Sequence, residues 1–280
     1  MPLVTTGELV AEARAAGHGV AACNVITLEH AEAVVAGAES AGRPVVLQVS
    51  HNAVRFHGGR LEPISAACRS VAAVADVPVS LHLDHVQDDE LLRRAPEAGY
   101  SPVMVDAASL PWADNVAVTR TAAAWAHGAG LWLEAELGEV GGKDGAHAPW
   151  VRTDPAQALA FVEATAVDAL AVAVGSSHAM TQPTARLDLD LIGRLRAAVP
   201  VPLVLHGSSG VPADQLRRAV ALGIVKVNIG TAFNLAFTTA VRHHLAENPE
   251  TVDPRRYLRP AREAMADAVQ LAVTTVSTPS

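Results

Sequence analysis

Histidine and acidic side chains stand where several apolar runs of the sequence end. "VPVSLHLDH" finishes in Asp84 and His85, "VDALAVAVGSSH" finishes in His178, and "VPLVLHG" reaches His206. Three neutral imidazoles from separate strands suit a Zn²⁺ ion with one coordination position left open, which is the arrangement of a catalytic zinc site. The sequence therefore predicts a metal centre at these three histidines, with Asp84 beside the metal but not needed to hold it.

Two further polar residues, His82 and Lys226, lie within such runs rather than at their ends. His82 and Asp84 share a face if their run is a strand, because side chains at i and i+2 point the same way. We interpret His82 as a buried histidine that orients its neighbours. Lys226 lies inside "GIVKVNIGT" and could suggest a Schiff-base lysine, but a metal centre makes such a lysine unnecessary.

Small and polar residues follow the last two apolar runs. "LHGSSG" and "KVNIGT" place glycines, hydroxyl groups and backbone N–H groups where many barrel enzymes bind phosphate. The candidate residues are Gly207, Ser209, Asn228 and Thr231. Two ordinary turns between strands and helices would also explain these residues, and the neighbouring metal centre favours the phosphate site.

The elements that must position these residues repeat along the chain. Apolar runs alternate with Ala-rich amphipathic stretches, and the strand candidates are "HGVAACNV", "RPVVLQVS", "VPVSLHLDH", "SPVMVDA", "GLWLEAELG", "VDALAVAVGSSH", "VPLVLHGSSG" and "GIVKVNIGT". Helices are predicted at 29–41, 88–98, 114–128, 154–166, 187–198 and 212–221. Strands alternating with helices predict a (β/α)8 TIM barrel over a single domain, 1–280, with a C-terminal extension from Arg242 on that adds a loop and a last helix. An open doubly wound sheet is the alternative, but no GxGxxG motif follows the first strand.

Composition restricts the classes of function. The chain has 280 residues, 50% of them hydrophobic, and a formal net charge of -8. This acidic balance argues against binding to nucleic acid or to a membrane surface, while a small anionic substrate remains compatible with it. No signal-peptide pattern is present, and no apolar run reaches the ~18 residues of a membrane span, so a cytoplasmic protein is expected.

The motifs together resemble the class II, zinc-dependent ketose-bisphosphate aldolases, a family that includes fructose-1,6-bisphosphate and tagatose-1,6-bisphosphate enzymes. The resemblance covers almost the whole chain. It rests on "CNV", "LQVS", "HLDH", "VMVDA", "EAELGEVGG", "LHGSSG", "KVNIGT" and "DPRRYL" in the family's order. The combination of "HLDH", "EAELG" and "VLHGxSG" is far more specific than any single motif.

The resemblance implies a role for each matching residue around the metal. The zinc ligands would be His85, His178 and His206. Asp84 would be the acid or base at the hydroxyl derived from the aldehyde. Asp106 and Glu136 would be outer carboxylates that can hold an alternative metal position, with Glu134 close by. The zinc would stabilise the enediolate of dihydroxyacetone phosphate as a Lewis acid.

The resemblance also implies how a phosphorylated sugar would bind. Its dihydroxyacetone-phosphate end would meet Gly207, Ser209, Asn228 and Thr231, accompanied by a monovalent cation, Na⁺ or K⁺. Asn24 would face the reacting carbons, and Ser50 and Arg255 would meet the distal phosphate. Family members are usually dimers or tetramers, so a homodimer or homotetramer is expected by resemblance.

The chain departs from the family pattern around this centre. Relatives carry a Gly-Gly-x-Glu-Asp loop where this chain has "GGKDG", so Asp144 falls at the position of the catalytic loop glutamate. Aspartate is one methylene shorter, and rate or substrate choice could change because a base must come within hydrogen-bond reach. Ala179 and Ser208 replace glycines, Ala108 stands where relatives often have serine, and the usual glycine after Ser50 is absent.

The resemblance implies a zinc-dependent aldolase that cleaves fructose or tagatose 1,6-bisphosphate reversibly to dihydroxyacetone phosphate and an aldehyde. Three alternatives remain open. They are an aldolase for a different specialised sugar phosphate, a non-catalytic phosphosugar-binding relative, and a metal-dependent hydrolase on the same barrel. The hydrolase is disfavoured because the first strand ends in "CNV" rather than His-x-His.

Overall fold

A closed barrel of eight parallel strands in chain order forms the centre of the computed structural model, which describes residues 3–138 and 151–278. The strands are β1 (Val20–Asn24), β2 (Val45–Ser50), β3 (Val79–Val86), β4 (Pro102–Val105), β5 (Trp132–Leu137), β6 (Ala169–Val172), β7 (Leu203–Leu205) and β8 (Ile224–Ile229). β1 pairs with both β2 and β8, which closes the sheet. The predicted TIM barrel is confirmed, and an open doubly wound sheet is excluded.

Helices surround the barrel and connect its strands. They are α1 (Thr6–Ala16), α2 (Leu28–Ala41), α3 (His51–Phe56), α4 (Glu62–Ala73), α5 (Asp89–Ala98), α6 (Trp112–Gly128), α7 (Pro155–Thr165), α8 (Leu189–Ala198), α9 (Ala213–Leu222), α10 (Thr231–Glu247) and α11 (Pro254–Ser277). The sequence analysis predicted α2 and α5 to α9 and a last helix, but it did not predict α1, α3, α4 or α10. Arg242, where the C-terminal extension was expected to begin, lies inside α10. None of the described helices is long and apolar enough to cross a membrane.

The N-terminal end of the barrel is closed by α1. This helix starts with a capping box between Thr5 and Glu8, in which the side chain of each residue accepts a hydrogen bond from the backbone N–H of the other. Its apolar face packs against the first half of the neighbouring strands, in a cluster formed by Leu9, Val10, Ala13, Val20, Ala22, Val46 and Val225. Because this end is packed, the C-terminal end is left for a site, as in other barrels of this kind.

Strand alternation determines which residues enter the barrel. Odd-numbered residues of β2, such as Leu47 and Val49, pack in the main core together with helical residues. The even-numbered positions Gln48 and Ser50 pair in register with His82 and Asp84 of β3. Successive side chains point to opposite faces of a sheet, so the polar residues of β2 and β3 share the inner face. Apolar packing therefore surrounds a barrel interior that is polar towards its C-terminal end.

The C-terminal helices complete the outer ring. α11 packs closely against α2 and α10. At Gly37 in α2, an added Cβ would lie 2.5 Å from the Ala266 carbonyl oxygen and 2.7 Å from Cβ of Val269. The approach of the two helices thus depends on a glycine, and α11 belongs to the barrel rather than forming a detached tail.

Candidate metal centre and active site

A cavity of about 480 Å³ opens at the C-terminal ends of the strands. Most of the residues selected from the sequence line it, namely Asn24, Ser50, Asp84, His85, Asp106, Glu136, His178, Gly207, Ser209, Asn228 and Thr231. His206 lies fully buried beside them, at 0% exposure. Residues from all eight strand ends, or from the loops after them, therefore meet at one place. Arg255 is not among the lining residues, and Asp144 lies outside the described part of the chain.

The three candidate metal ligands form a compact cluster. The ring centroids are 5.5 Å apart for His85 and His178, 4.9 Å for His85 and His206, and 6.0 Å for His178 and His206. One nitrogen from each ring lies within 4.8 Å of the others. Zinc–imidazole bonds are about 2.1 Å long, so a small closure of the rings would bring all three onto one ion.

Asp106 orients His85. Its Oδ2 lies 2.9 Å from Nδ1 of His85, while Nε2 of His85 lies 3.5 Å from Oδ2 of Asp84. Carboxylates commonly hold one ring nitrogen of a metal-binding histidine in this way, which sets the tautomer and the ring orientation. Nε2 is therefore the nitrogen of His85 that would bind a metal. His85 has a φ of 53°, an uncommon left-handed conformation that turns its side chain off the strand.

His206 lies between two buried carboxylates. Its Nε2 is 2.9 Å from Glu134 and its Nδ1 is 2.7 Å from Glu136. Burial opposes the charged imidazolium, but the hydrogen bonds to Glu134 and Glu136 outweigh burial and raise the pKa of His206 to about 9. Glu136 lines the cavity, so Nδ1 faces the open side. A metal bound at Nδ1 would displace Glu136 from this nitrogen or take it as a further ligand.

Glu134 belongs to an internal ion pair below the cavity. Its Oε2 lies 2.9 Å from Nζ of Lys226, and both side chains are fully buried. Burial opposes ionisation, but Lys226 and the hydrogen bond from His206 outweigh burial and hold the pKa of Glu134 far below its usual range. His82, Asp84 and Glu134 also lie close enough to form a second group of metal-binding type. Lys226 already supplies a positive charge there, so this group fits a structural network better than a second metal site.

Lys226 and His82 are both buried in the barrel interior. Nζ of Lys226 also donates a hydrogen bond to Oδ1 of Asn228 at 2.8 Å, and Lys226 does not line the cavity, which disfavours a Schiff-base role. Burial, followed by the nearby Lys226 charge, lowers the pKa of His82 to about 3. A neutral, buried His82 is consistent with an orienting residue.

Asp84 is buried but reaches the cavity, and Gln48 holds it in place. Nε2 of Gln48 donates to Oδ2 of Asp84 at 3.1 Å and to Oδ1 of Asn24 at 2.8 Å. Burial opposes ionisation of Asp84, but the charges of His85 and His206 and then Lys226 outweigh burial and lower its pKa. Asp84 is therefore a carboxylate beside the histidine cluster.

Gln48 is a site residue that the sequence analysis missed. It is 1% exposed and lines the cavity between Asn24 and Asp84. The available signal was its position two residues before Ser50, because i and i+2 side chains of a strand share a face. Its motif "LQVS" was noted, but only the serine was assigned a role.

The loops after β7 and β8 are linked by hydrogen bonds. Oγ of Ser208 donates to the backbone oxygen of Asn228 at 2.6 Å, and the backbone N–H of Ala232 donates to Oγ of Ser209 at 3.1 Å. Nδ2 of Asn228 is buried and has no partner among the described residues. The first turn of α10 begins at Thr231, and helix N-termini attract anions. This side of the cavity thus offers an anion the side-chain amide of Asn228 and the N-terminus of α10.

Two backbone positions shape the approach of these loops. Gly207 has a φ of 64°, and an added Cβ would lie 2.6 Å from the carbonyl carbon of Ser177 and 2.9 Å from the backbone nitrogen of His178. Ala179 has a φ of 58°, in the region that glycine adopts most easily. Ala179 therefore places backbone strain directly after a candidate ligand.

Two predicted site residues are not brought into the cavity. Asp144 lies outside the described residues, so its role stays a prediction. Arg255 at the start of α11 does not line the cavity, and its Nη2 lies 2.8 Å from Oδ2 of Asp253 with 88% of the arginine side chain exposed. Within its own chain, Arg255 is separated from the other predicted residues, and its contact with substrate also stays a prediction.

The chain is similar to known proteins over almost its whole length. The family model described as "Fructose-bisphosphate aldolase class-II" matches residues 4–278. The crystal structure of the YdjI aldolase from Escherichia coli K12 is 30% identical, with a TM-score of 0.84 over 98% of this chain and 97% of that chain. Fructose-bisphosphate aldolase from Campylobacter jejuni is 22% identical, with a TM-score of 0.82 over 98% of this chain and 95% of that chain, a likeness of fold.

Proposed function

Because this chain belongs to the class II fructose-bisphosphate aldolase family, and is thus a metal-dependent aldolase, we propose that it uses Zn²⁺ to cleave a ketose phosphate reversibly into dihydroxyacetone phosphate and an aldehyde. The observation that carries this proposal is the cluster of His85, His178 and His206 beside Asp84. Three imidazoles with a carboxylate next to them suit a catalytic zinc ion better than a structural one. The same family membership argues against a hydrolase.

The chemistry of the cleavage fits these side chains. A zinc ion held by the three histidines would supply Lewis acidity for the negative charge that builds up on oxygen when a bond next to a carbonyl breaks. Asp84 would accept the proton of the C4 hydroxyl during cleavage and return it during condensation. Gln48 would keep the Asp84 carboxylate oriented through its hydrogen bond of 3.1 Å. Asn24, held by the same amide, would face the reacting carbons.

We place the dihydroxyacetone-phosphate end of the substrate at the loops after β7 and β8. The supporting features are the N-terminus of α10 and the buried, unpartnered Nδ2 of Asn228 among the described residues. The proposed contacts are Gly207, Ser209, Asn228 and Thr231, all of which line the cavity. A monovalent cation, Na⁺ or K⁺, is part of the proposal by family resemblance, as is Asp144 as the base in the loop.

The default substrate is fructose or tagatose 1,6-bisphosphate. A ketose phosphate with a different distal end is a second candidate, favoured by the position of Arg255 outside the cavity. The relative that is 30% identical is described as an aldolase without a named sugar, which is compatible with either candidate. Replacement of Arg255 by Gln should raise the KM of a bisphosphate only if this residue meets the distal phosphate.

Assembly and location complete the proposal. We propose a homodimer or homotetramer that acts in the cytoplasm on a small phosphorylated sugar, with no nucleic-acid or membrane partner. α10 supports self-association, because Leu235 and Leu245 are 43% and 36% exposed and only Phe233 of this helix is buried. Sedimentation or light scattering would measure the oligomeric state directly.

The role of Asp84 gives a direct test of the proposal. Replacing Asp84 by Asn keeps the side-chain shape but removes the base, so kcat for dihydroxyacetone phosphate release should fall by roughly 10²- to 10⁴-fold. Bound zinc, measured by atomic emission, should stay at the wild-type level because Asp84 is not needed as a ligand. Asp89→Asn, on the exposed surface of α5, is the matched control and should keep full activity. Loss of zinc in Asp84→Asn, or an unchanged rate, would contradict the assigned role.

A further inference from the structure

The charges around the cavity are unevenly distributed. Asp84, Asp106 and Glu136 line it, and Arg55 is the only lysine or arginine that does so among residues 3–138 and 151–278. A cavity with three carboxylates repels an anionic group unless a cation faces that group. Arg55 therefore has a special position among the lining residues.

The guanidinium group of Arg55 is not committed elsewhere in the described part of the chain. Some surface arginines are paired, such as Arg93 with Asp89 and Arg94 with Glu62. Arg55 has no ion pair or side-chain hydrogen bond to any described residue, and its side chain is exposed at the rim. An unpaired guanidinium offers a planar set of donors that matches a carboxylate or a phosphate.

The chain path holds Arg55 at the edge of the cavity. It lies in α3, which follows β2 directly, and Oγ of Ser50 accepts a hydrogen bond from the backbone N–H of Ala53 at the start of this helix. His51 lines the cavity as well, and its Nδ1 accepts the backbone N–H of Gln87 at 3.4 Å. These contacts connect α3 to the loop after β3. Burial and then the charge of Arg55 lower the pKa of His51, while the charge of Asp88 opposes them.

Arg55 lies on a different side of the barrel mouth from the proposed phosphate site. In the closed barrel β2 is separated from β8 by β1, and from β7 by β8 and β1. A substrate with one end at the β7 and β8 loops, and its reacting carbons beside Asp84 of β3, would extend its other end towards β2. That other end belongs to the aldehyde half of the substrate.

We propose that Arg55 binds an anionic group, a phosphate or a carboxylate, at the far end of the aldehyde half and thereby selects the substrate. This inference rests on the proposed aldolase function. It adds a specificity residue on α3 of the same chain, whereas the resemblance assigned the distal group to Ser50 and Arg255.

The test is aldol condensation of dihydroxyacetone phosphate with three aldehydes of the same carbon length. Glyceraldehyde 3-phosphate carries a phosphate, tartronate semialdehyde carries a carboxylate, and glyceraldehyde is neutral. The wild-type zinc enzyme should show a lower KM for at least one anionic aldehyde than for glyceraldehyde, and the better of the two identifies the anion. Arg55→Gln should raise that KM roughly tenfold, while kcat/KM for glyceraldehyde stays within twofold.

Matched variants sharpen the result. Arg60→Gln removes a neighbouring exposed arginine that does not line the cavity, and it should leave all three KM values unchanged. Arg55→Lys should recover part of the anion preference, since a charge remains without the planar donor pair. The inference would be overturned if the wild-type enzyme showed the same KM for the anionic aldehydes as for glyceraldehyde. It would also be overturned if the preference for an anionic aldehyde were lost in Arg255→Gln but kept in Arg55→Gln.

The inference about Arg55 and the proposed aldolase function can be tested separately. If the wild-type enzyme consumes dihydroxyacetone phosphate but Arg55→Gln keeps the full anion preference, only the inference about Arg55 is overturned. If the zinc-loaded wild-type protein consumes no dihydroxyacetone phosphate with any aldehyde, the proposed function fails and the inference fails with it.

Discussion

At the scale of single residues, the carboxylates around the histidines specify which ring nitrogens a metal would use. Asp106 lies within hydrogen-bond distance of Nδ1 of His85, and Glu134 lies within hydrogen-bond distance of Nε2 of His206. Such partners fix the orientation of ligands before the metal arrives. Glu136 differs because it contacts the nitrogen of His206 that faces the cavity. Asp106 thus contacts His85 in the way that Glu134 contacts His206. The alternative metal position expected at Asp106 and Glu136 stays a prediction.

Ala179 allows a prediction about local strain. A left-handed conformation costs a non-glycine residue about 1–2 kcal/mol. Glycine in turn lowers the free energy of unfolding by about 0.4–1 kcal/mol, because it increases the conformational entropy of the unfolded chain. Ala179→Gly should therefore stabilise the fold by about 0.5–1 kcal/mol. Ala166 has a similar φ of 56° but caps α7 away from the cavity. Ala166→Gly should therefore give a similar gain in urea unfolding.

The two alanine variants should separate in catalysis. Ala179 lines the cavity beside His178, so only Ala179→Gly should also lower the KM for dihydroxyacetone phosphate. Equal kinetics for both variants would show that the strain at position 179 does not reach the phosphate site. A loss of stability in Ala179→Gly would contradict the strain itself.

At the scale of elements, the site depends on two loops that approach each other closely. The backbone of Gly207, after β7, lies against Ser177 and His178, after β6. Gly207→Ala should push these loops apart and move His178, so zinc affinity should fall roughly 10- to 100-fold, as for the loss of a supporting contact. Competition with a chelator of known affinity would measure this change.

A glycine elsewhere provides the control for Gly207. Gly193 lies in α8, where an added Cβ would meet nothing within 4 Å. Gly193→Ala should stabilise the helix by about 0.5–1 kcal/mol and leave zinc affinity unchanged. Unchanged zinc affinity in Gly207→Ala would mean that the loops can shift without moving the ligand.

Site residues at the ends of strands could be predicted from the sequence, whereas a site residue in a short helix could not. Strand periodicity and the barrel rule selected Asp84, His85 and the phosphate-side residues, because parallel strands all end at one face. Gln48 was missed because it lies one step inside its strand. Arg55 was missed because α3 was not predicted, and no periodic pattern marks a six-residue helix.

At the scale of the whole molecule, the order of strands and most helices followed from alternating patterns in the sequence. The closed barrel was also predicted, from the number of repeated strand and helix units, although the pairing of β1 with β8 joins strands that are far apart in the chain. The packing of α11 against Gly37 of α2 is equally non-local. Local patterns therefore indicate the elements, and long-range contacts decide which residues meet.

The central claim is that this chain is a zinc-dependent aldolase, and dihydroxyacetone phosphate release tests it most directly. Fructose 1,6-bisphosphate and tagatose 1,6-bisphosphate would be assayed with the protein as purified, after chelation, and after restoration with one equivalent of Zn²⁺ per chain. The account predicts release from at least one sugar, its loss on chelation and its return with zinc. Release that persists in protein shown to be metal-free would contradict it, and no release from either sugar with zinc bound would exclude both bisphosphates in favour of a ketose phosphate with a different distal end.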